Sequence, residues 1–226
     1  MGKKKKRRKR LKIKSVLIFL LFILMIIGFF FALSLIKVRT YYVYDNNYLD
    51  DNEILNILKL NKETSFVTIN TPMEKSLAKK SKLIKDVKIK RTLDFEIKVY
   101  IKEYNIMFYD STKKKTILEN KEEVDYIDNN APVLINEISD KKIYNKLISK
   151  MNKINKNTLS MISEITYSPN GIDKERFLLS MNDGNYVYVT LTKLSKINDY
   201  KSIIDSVENK KGILYLDYGN YFVPKE

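Results

Sequence analysis

The stretch IKDVKIKRTLDFEIKVYIKE, Ile84 to Glu103, decides how the first half of this chain folds. Val87 and Ile89 alternate with Lys88 and Lys90, and after Thr92-Leu93-Asp94 come Phe95, Ile97, Val99 and Ile101 at strict period two. Successive strand side chains point to opposite faces, so the alternation predicts a hairpin with one buried face. Upstream lie two helix starts. Asp50 followed by Glu53 is a capping box, and Ile54, Ile57 and Leu58 set one apolar stripe on a helix that ends near Asn61. Thr71, Pro72 and Glu74 take the N-cap, N1 and N3 positions of a second helix, which turns Met73 and Leu77 inward and stops near Lys82. Residues 38–44, rich in aromatic and β-branched types, read as a strand. Strand, helix, helix, strand, strand over about 65 residues suits a small α+β domain whose two helices cover one sheet face.

Immediately before that domain, Val16 to Ile36 is an uncharged run of 21 residues dominated by Leu, Ile and Phe. As a helix it would span roughly 30 Å, the hydrocarbon thickness of a bilayer. Residues 1–14 carry ten Lys and Arg and no acid, against Lys37 and Arg39 on the other flank, which predicts a cytoplasmic N-terminus and an extracytoplasmic remainder. A cleaved signal peptide is the competing reading, because Ala32-Leu33-Ser34 offers a small-x-small pattern. Signal-peptide cores are about 7 to 15 apolar residues, however, and this run continues through Leu35 and Ile36. Of the net charge of +15, only +5 remains once the tail is set aside. The basic character is therefore an orientation signal with attraction to anionic lipid, and no nucleic-acid partner is expected.

Downstream of Tyr104 the pattern shifts to short strands with polar turns. Candidates are residues 106–109, 116–118, 124–127, 133–135, 163–167 and 176–181. Asp183-Gly184 then makes a hairpin signal leading into 186–191. Ile143, Leu147, Ile148, Met151 and Ile154 recur at helical spacing behind Asp140, and Leu194, Ile197, Tyr200, Ile203, Ile204 and Val207 do so again. Gly212 reads as the stop of that last helix, before a final strand over 213–218. The expected fold class is thus α+β. Its segments are a basic cytoplasmic tail over 1–15, a transmembrane helix over 16–36, a βααββ domain over 37–103, and over 104–226 a mixed β-rich domain with two helices.

Composition closes most catalytic classes. The chain has no cysteine and no histidine, so a Ser-His-Asp triad, a cysteine nucleophile, a disulfide and a zinc site of nitrogen or sulfur ligands are all excluded. Its six glycines fall at 2, 28, 171, 184, 212 and 219, where no pair has the spacing of a phosphate loop or dinucleotide turn. Asp50, Asp51 and Glu53 lack the spacing of a calcium loop, and helix capping accounts for them. A membrane-anchored Ser-Lys hydrolase would suit the topology, yet no serine occurs between Ser34 and Ser65, where such peptidases carry theirs. No catalytic, cofactor-binding or metal-binding residue is assigned, and no cofactor is expected. Tyrosine is abundant, with 16 copies, three of them within Tyr215 to Pro224. Those three read either as rings covering an ordinary final strand or as anchors on an exposed edge that pairs with a partner's strand.

The whole pattern resembles the FtsQ/DivIB family of bacterial cell-division proteins, and most its Gram-positive DivIB branch. The residues that carry the resemblance are the basic tail, the single apolar run and the strand directly after it. With them go Glu53-Ile54-Leu55, Leu58-Lys59-Leu60, Ile84 to Arg91, Ile97-Lys98-Val99 running to Glu103, and the closing Asp217-Tyr218-Gly219-Asn220-Tyr221-Phe222. Leu93-Asp94 and Asn105 stand where members usually have a proline. The resemblance implies that residues 37–103 form a POTRA domain and that the protein is a non-enzymatic, single-pass septal division protein. It further implies that the chain binds FtsL-like and DivIC/FtsB-like single-pass partners through the end of its β domain. Tyr215, Asp217, Tyr218, Tyr221 and Phe222 are the expected partner-binding residues, by strand addition, with peptidoglycan left open as a further ligand. A wall-associated surface module without a division role is the alternative from a different class.

Overall fold

The computed structural model describes residues 13–69, 71–127 and 130–225. The expected basic tail through Lys12, the Thr71 cap and the inward turn of Met73 lie outside the described residues and side chains. The chain divides into two compact units, one of residues 1–80 with 86–101 and one of residues 81–85 with 102–226.

In the first unit, helix α1 (Ile13–Ser34) exposes all its large apolar side chains from Ile13 to Phe31. A soluble core helix would bury such a face; one exposed all round matches a bilayer as solvent. The chain then enters β1 (Thr40–Tyr44), crosses through α2 (Asp51–Ile57) and α3 (Thr71–Ala78), and returns as the hairpin β2 (Ile84–Arg91) and β3 (Glu96–Glu103). The sheet order is β1-β3-β2, with β1 parallel to β3 from Thr40 opposite Glu96 to Tyr44 opposite Tyr100. The capping box forms as expected: Asp50 Oδ1 accepts from Glu53 N at 2.8 Å, and Glu53 Oε2 accepts from Asp50 N at 3.0 Å. Ile54, Leu58, Val87, Ile97, Val99 and Ile101 are buried together with Val38, Leu60 and Leu77. The alternation stops short of Phe95, which is 45% exposed with φ of 58°, because the turn out of Asp94 needs a left-handed residue there.

The second unit holds a nine-stranded mixed sheet. Its members are β4 (Ile106–Asp110), β5 (Lys115–Leu118), β6 (Glu123–Val124), β7 (Val133–Leu134), β8 (Ile162–Tyr167), β9 (Arg176–Met181), β10 (Tyr186–Thr190), β11 (Gly212–Tyr215) and β12 (Tyr221–Pro224). They lie in the order β12-β11-β10-β9-β8-β7-β4-β5-β6. Helix α4 (Lys141–Met151), capped by Asp140, buries Ile143, Leu147, Ile148 and Met151 in one core with Phe108, Ile117, Phe177, Val187 and Leu214. A further one-turn helix, α5 (Lys156–Leu159), starts at the Asn155 cap. The last helical stretch is divided into a 3-10 segment over Leu194–Asp199 and α6 (Tyr200–Ser206), both still packed on the core through Leu194, Ile197, Tyr200 and Ile204.

Two expectations at the C-terminus change. Gly212 does not stop the helix: Glu208 and Asn209, at φ of 56° and 57°, make that turn, and Gly212 opens β11. The final strand over 213–218 is two strands, because the chain turns through Asp217 to Asn220 and comes back antiparallel as β12.

Replacing Asp50 by Ala removes the acceptor for the Glu53 amide and should lower unfolding stability by about 1 kcal/mol. Urea denaturation of the wild-type and variant chains, followed by far-UV circular dichroism, measures the difference.

Candidate partner-binding edge

Sequence places β12 last, and topology makes it the edge of the nine-stranded sheet. An edge strand offers unpaired main-chain donors and acceptors along one side. Its inner side pairs with β11 in the register Gly212–Pro224, Ile213–Val223, Leu214–Phe222 and Tyr215–Tyr221, extended by Lys225 N donating to Lys211 O at 2.8 Å. Hydrogen-bonded and open pairs alternate along an antiparallel ladder. Counting from Lys225, the main-chain groups of Phe222 and the carbonyl of Pro224 face outward.

The close approach of β12 explains Gly212. A Cβ at this position would lie 2.2 Å from the carbonyl oxygen of Val223 and 2.9 Å from Pro224 Cα, both backbone atoms. Only a residue without a side chain lets the two strands pair there. Asn185 fixes the same point from the other side: its buried Oδ1 accepts from Gly212 N at 2.7 Å. Asn185 is itself held by Asp183 in the β9–β10 turn, where Gly184 supplies φ of 87°. Asp183 also accepts from the Tyr200 hydroxyl at 2.7 Å. Burial pushes the Asp183 carboxyl up, but the Asn185 amide, the Tyr200 hydroxyl and the nearby Lys211 outweigh it and hold the group below its usual range.

Across the edge runs a row of tyrosines. Tyr188 of β10 is paired with Tyr215 of β11, and Tyr215 with Tyr221 of β12. Their rings stack at centroid separations of 5.4 Å and 4.8 Å. Arg176 closes the inner end, its guanidinium 3.6 Å from the Tyr188 ring centroid. Arg176 Nε also donates to Asp217 Oδ2 at 2.7 Å, and the Asp217 side chain is only 1% exposed. Lys193 Nζ donates to the Asp217 carbonyl at 2.6 Å, so the turn between β11 and β12 is tied at both its main chain and its side chain.

The five expected residues therefore fall into two groups. Tyr218 and Tyr221 are more than half exposed. Tyr215 is half-buried within the ring row, Phe222 packs against the core, and Asp217 faces inward on Arg176. Sequence reasoning missed Val223, 45% exposed on β12, and the supporting pair Arg176 and Tyr188. The alternation of residues 221–224 carried the signal for Val223. Nothing local carried the other two, because they meet the terminal turn through a parallel β10–β11 pairing.

A family model described as "POTRA domain, FtsQ-type" matches residues 37–104. The chain is 27% identical over 209 residues to the cell division protein DivIB of Bacillus subtilis, covering 88% of this chain and 78% of that protein. Identity to DivIB of Listeria monocytogenes is 26% over 206 residues, covering 87% and 76%. DivIB of Enterococcus faecalis is 32% identical over 157 residues, covering 67% of this chain and 42% of that protein. Among solved structures, the major extracytoplasmic domain of the trans isomer of DivIB from Geobacillus stearothermophilus is similar at 22% identity, with a TM-score of 0.39. It covers 48% of this chain and 97% of that one.

Three outcomes follow from the edge geometry. Gly212→Ala should lift β12, raising amide exchange at Tyr221 and Val223 while the β9 amides stay protected. Arg176→Met leaves the Asp217 carboxylate buried without its partner and should cost about 3 to 5 kcal/mol in urea denaturation. Because the folded Asp183 carboxyl titrates below its unfolded value, its contribution is complete above the unfolded pKa and is lost as pH falls through the folded one. Asp183→Asn should therefore flatten the acid limb of stability against pH, read from thermal midpoints between pH 2 and pH 6.

Proposed function

We propose, since this chain belongs to the FtsQ/DivIB family of bacterial cell-division proteins and to its DivIB branch, that it is a membrane-anchored, non-enzymatic division protein whose edge strand β12 receives a strand from a septal partner. The partner is a single-pass coiled-coil protein of the FtsL or DivIC/FtsB kind. The observation that carries this reading is the open side of β12, stiffened from behind by the Arg176–Tyr188–Tyr215–Tyr221 row.

The physical case is one of preorganisation. Strand addition gains main-chain hydrogen bonds only if the receiving edge is already straight and held, since ordering it on binding would cost conformational entropy. Stacked rings and a buried ion pair hold this edge before any partner arrives. Tyr218, Tyr221 and Val223 then supply side chains that a partner strand can cover, and tyrosine offers large contact area with few rotors. Asp217 and Phe222 belong to the same contact as its support.

The flanking charges support a cytoplasmic N-terminus with both folded units outside, and the division role brings the protein to the septum. A chain with neither cysteine nor histidine, presenting a strand edge, fits assembly and regulation of wall synthesis better than catalysis of it.

Removing residues 221–226 from the full chain takes away the edge and leaves β11 in place. Capture of a DivIC-type partner from detergent-solubilised membranes should fall at least tenfold, and Tyr218→Ala with Tyr221→Ala should weaken it by a similar factor. Unchanged capture by a folded truncation would sink the strand-addition reading. A fluorescent fusion spread evenly over the membrane would instead favour a wall-associated surface module.

A further inference from the structure

The hairpin between β2 and β3 ends in an apolar tip that no packing explains. Leu93 is 98% exposed, Phe95 is 45% exposed, and Val67 on the neighbouring loop is 39% exposed. Phe95 is braced edge-on against Phe66 at 5.4 Å, and the Arg91 guanidinium lies 5.8 Å from the Phe66 ring centroid.

The fold fixes where this tip sits relative to α1. Because β1 runs parallel to β3 with Thr40 opposite Glu96, the residues before Glu96 lie at the same end as those before Thr40. Arg39 N donates to Phe95 O at 2.9 Å. Phe66 N donates to Ile36 O at 2.8 Å, Val38 N donates to Thr64 O at 3.2 Å, and Lys37 pairs with Glu63. Helical hydrogen bonding continues past α1, with Ile36 N donating to Leu33 O at 3.2 Å. Only three residues, about 10 Å of chain, therefore separate the helical turn from Arg39, which is bonded to the tip.

The headgroup layer on each side of a bilayer is about 5 to 8 Å thick. A tip tied within about 10 Å of the end of a membrane-spanning helix lies at that layer. Its chemistry fits: an aliphatic side chain pointing fully outward, an aromatic ring beside it, and exposed Arg39 and Arg91 behind them to meet lipid phosphates. The acids at this end are Asp94, at the tip, Glu96, half-buried at the start of β3, and Glu63, which is paired with Lys37.

We propose that the β2–β3 hairpin tip docks into the outer leaflet of the membrane that α1 crosses, with Leu93 inserted in the lipid interface and Phe95 alongside it. The occupant is the lipid surface itself, and the contact gives the first domain a second membrane attachment besides the helix. The proposal rests on α1 spanning the bilayer.

Absence of cysteine from the natural chain makes the test direct. The full chain is reconstituted in phosphatidylcholine–phosphatidylglycerol vesicles containing doxyl-labelled lipid, with a polarity-sensitive fluorophore on one introduced cysteine. Asp94→Cys reports on the tip, Leu24→Cys on α1, and Ile172→Cys, at a side chain 84% exposed in the second unit, on the aqueous phase. The Asp94 reporter should be blue-shifted and quenched at least threefold more than the Ile172 reporter. Adding Leu93→Asp, at a side chain with almost no contacts to lose, should return it to the Ile172 level. Quenching at Leu24 but not at Asp94 overturns the docking alone. No quenching at Leu24 overturns the anchor and the docking with it, and equal quenching at Asp94 and Ile172 overturns a specific tip contact.

Discussion

Behind the C-terminal edge stands one ion pair, Arg176 with Asp217, and the geometry of that edge hangs from it. Asp217 sits in the turn that reverses β11 into β12, so holding its carboxylate fixes where the reversal occurs. The same guanidinium lies over the ring of Tyr188, which starts the row of rings ending at Tyr221. One cation thus sets both the path of the last strand and the plane of the side chains beside it. A buried pair of this kind gains little net energy once desolvation is counted. Its value here is positional, since an apolar replacement would fill the space without specifying the turn.

What the sequence disclosed follows the range of the interactions involved. The Asp50–Glu53 box, the Asp140 cap and the boundaries of β9 rest on contacts within a few residues, and all are readable from spacing. The hairpin of β2 and β3 is nearly so, failing only at Phe95, where turn geometry overrides a perfect alternation. The terminal region was legible as tyrosine-rich and strand-like, but its division into two strands was not. That division depends on Arg176, 41 residues before Asp217, and on Gly212 admitting a backbone 2.2 Å from where its own Cβ would be. Glycine at 212 carried a signal, and the nearby helix end supplied a plausible wrong meaning for it. Left-handed Glu208 and Asn209 took over that role without any glycine.

An open sheet edge is a hazard as well as a candidate site, and β12 carries features that bear on both. The strand is four residues long and ends in Pro224, which has no N–H to offer, followed by Lys225. Shortness, proline and lysine are the usual means of blunting an edge against indiscriminate pairing. A strand added here can form few main-chain bonds, so the ladder alone cannot make a tight complex. Discrimination must come from side chains, and the ones on offer are Tyr218, Tyr221 and Val223. Under the proposed strand addition, an edge that is weak as a generic template and rigid as a particular surface would select for a partner whose side chains match those three. On that reading the two features work together: the rings held by Arg176 would be what a correct partner reads, and the blunted ladder would keep other strands off.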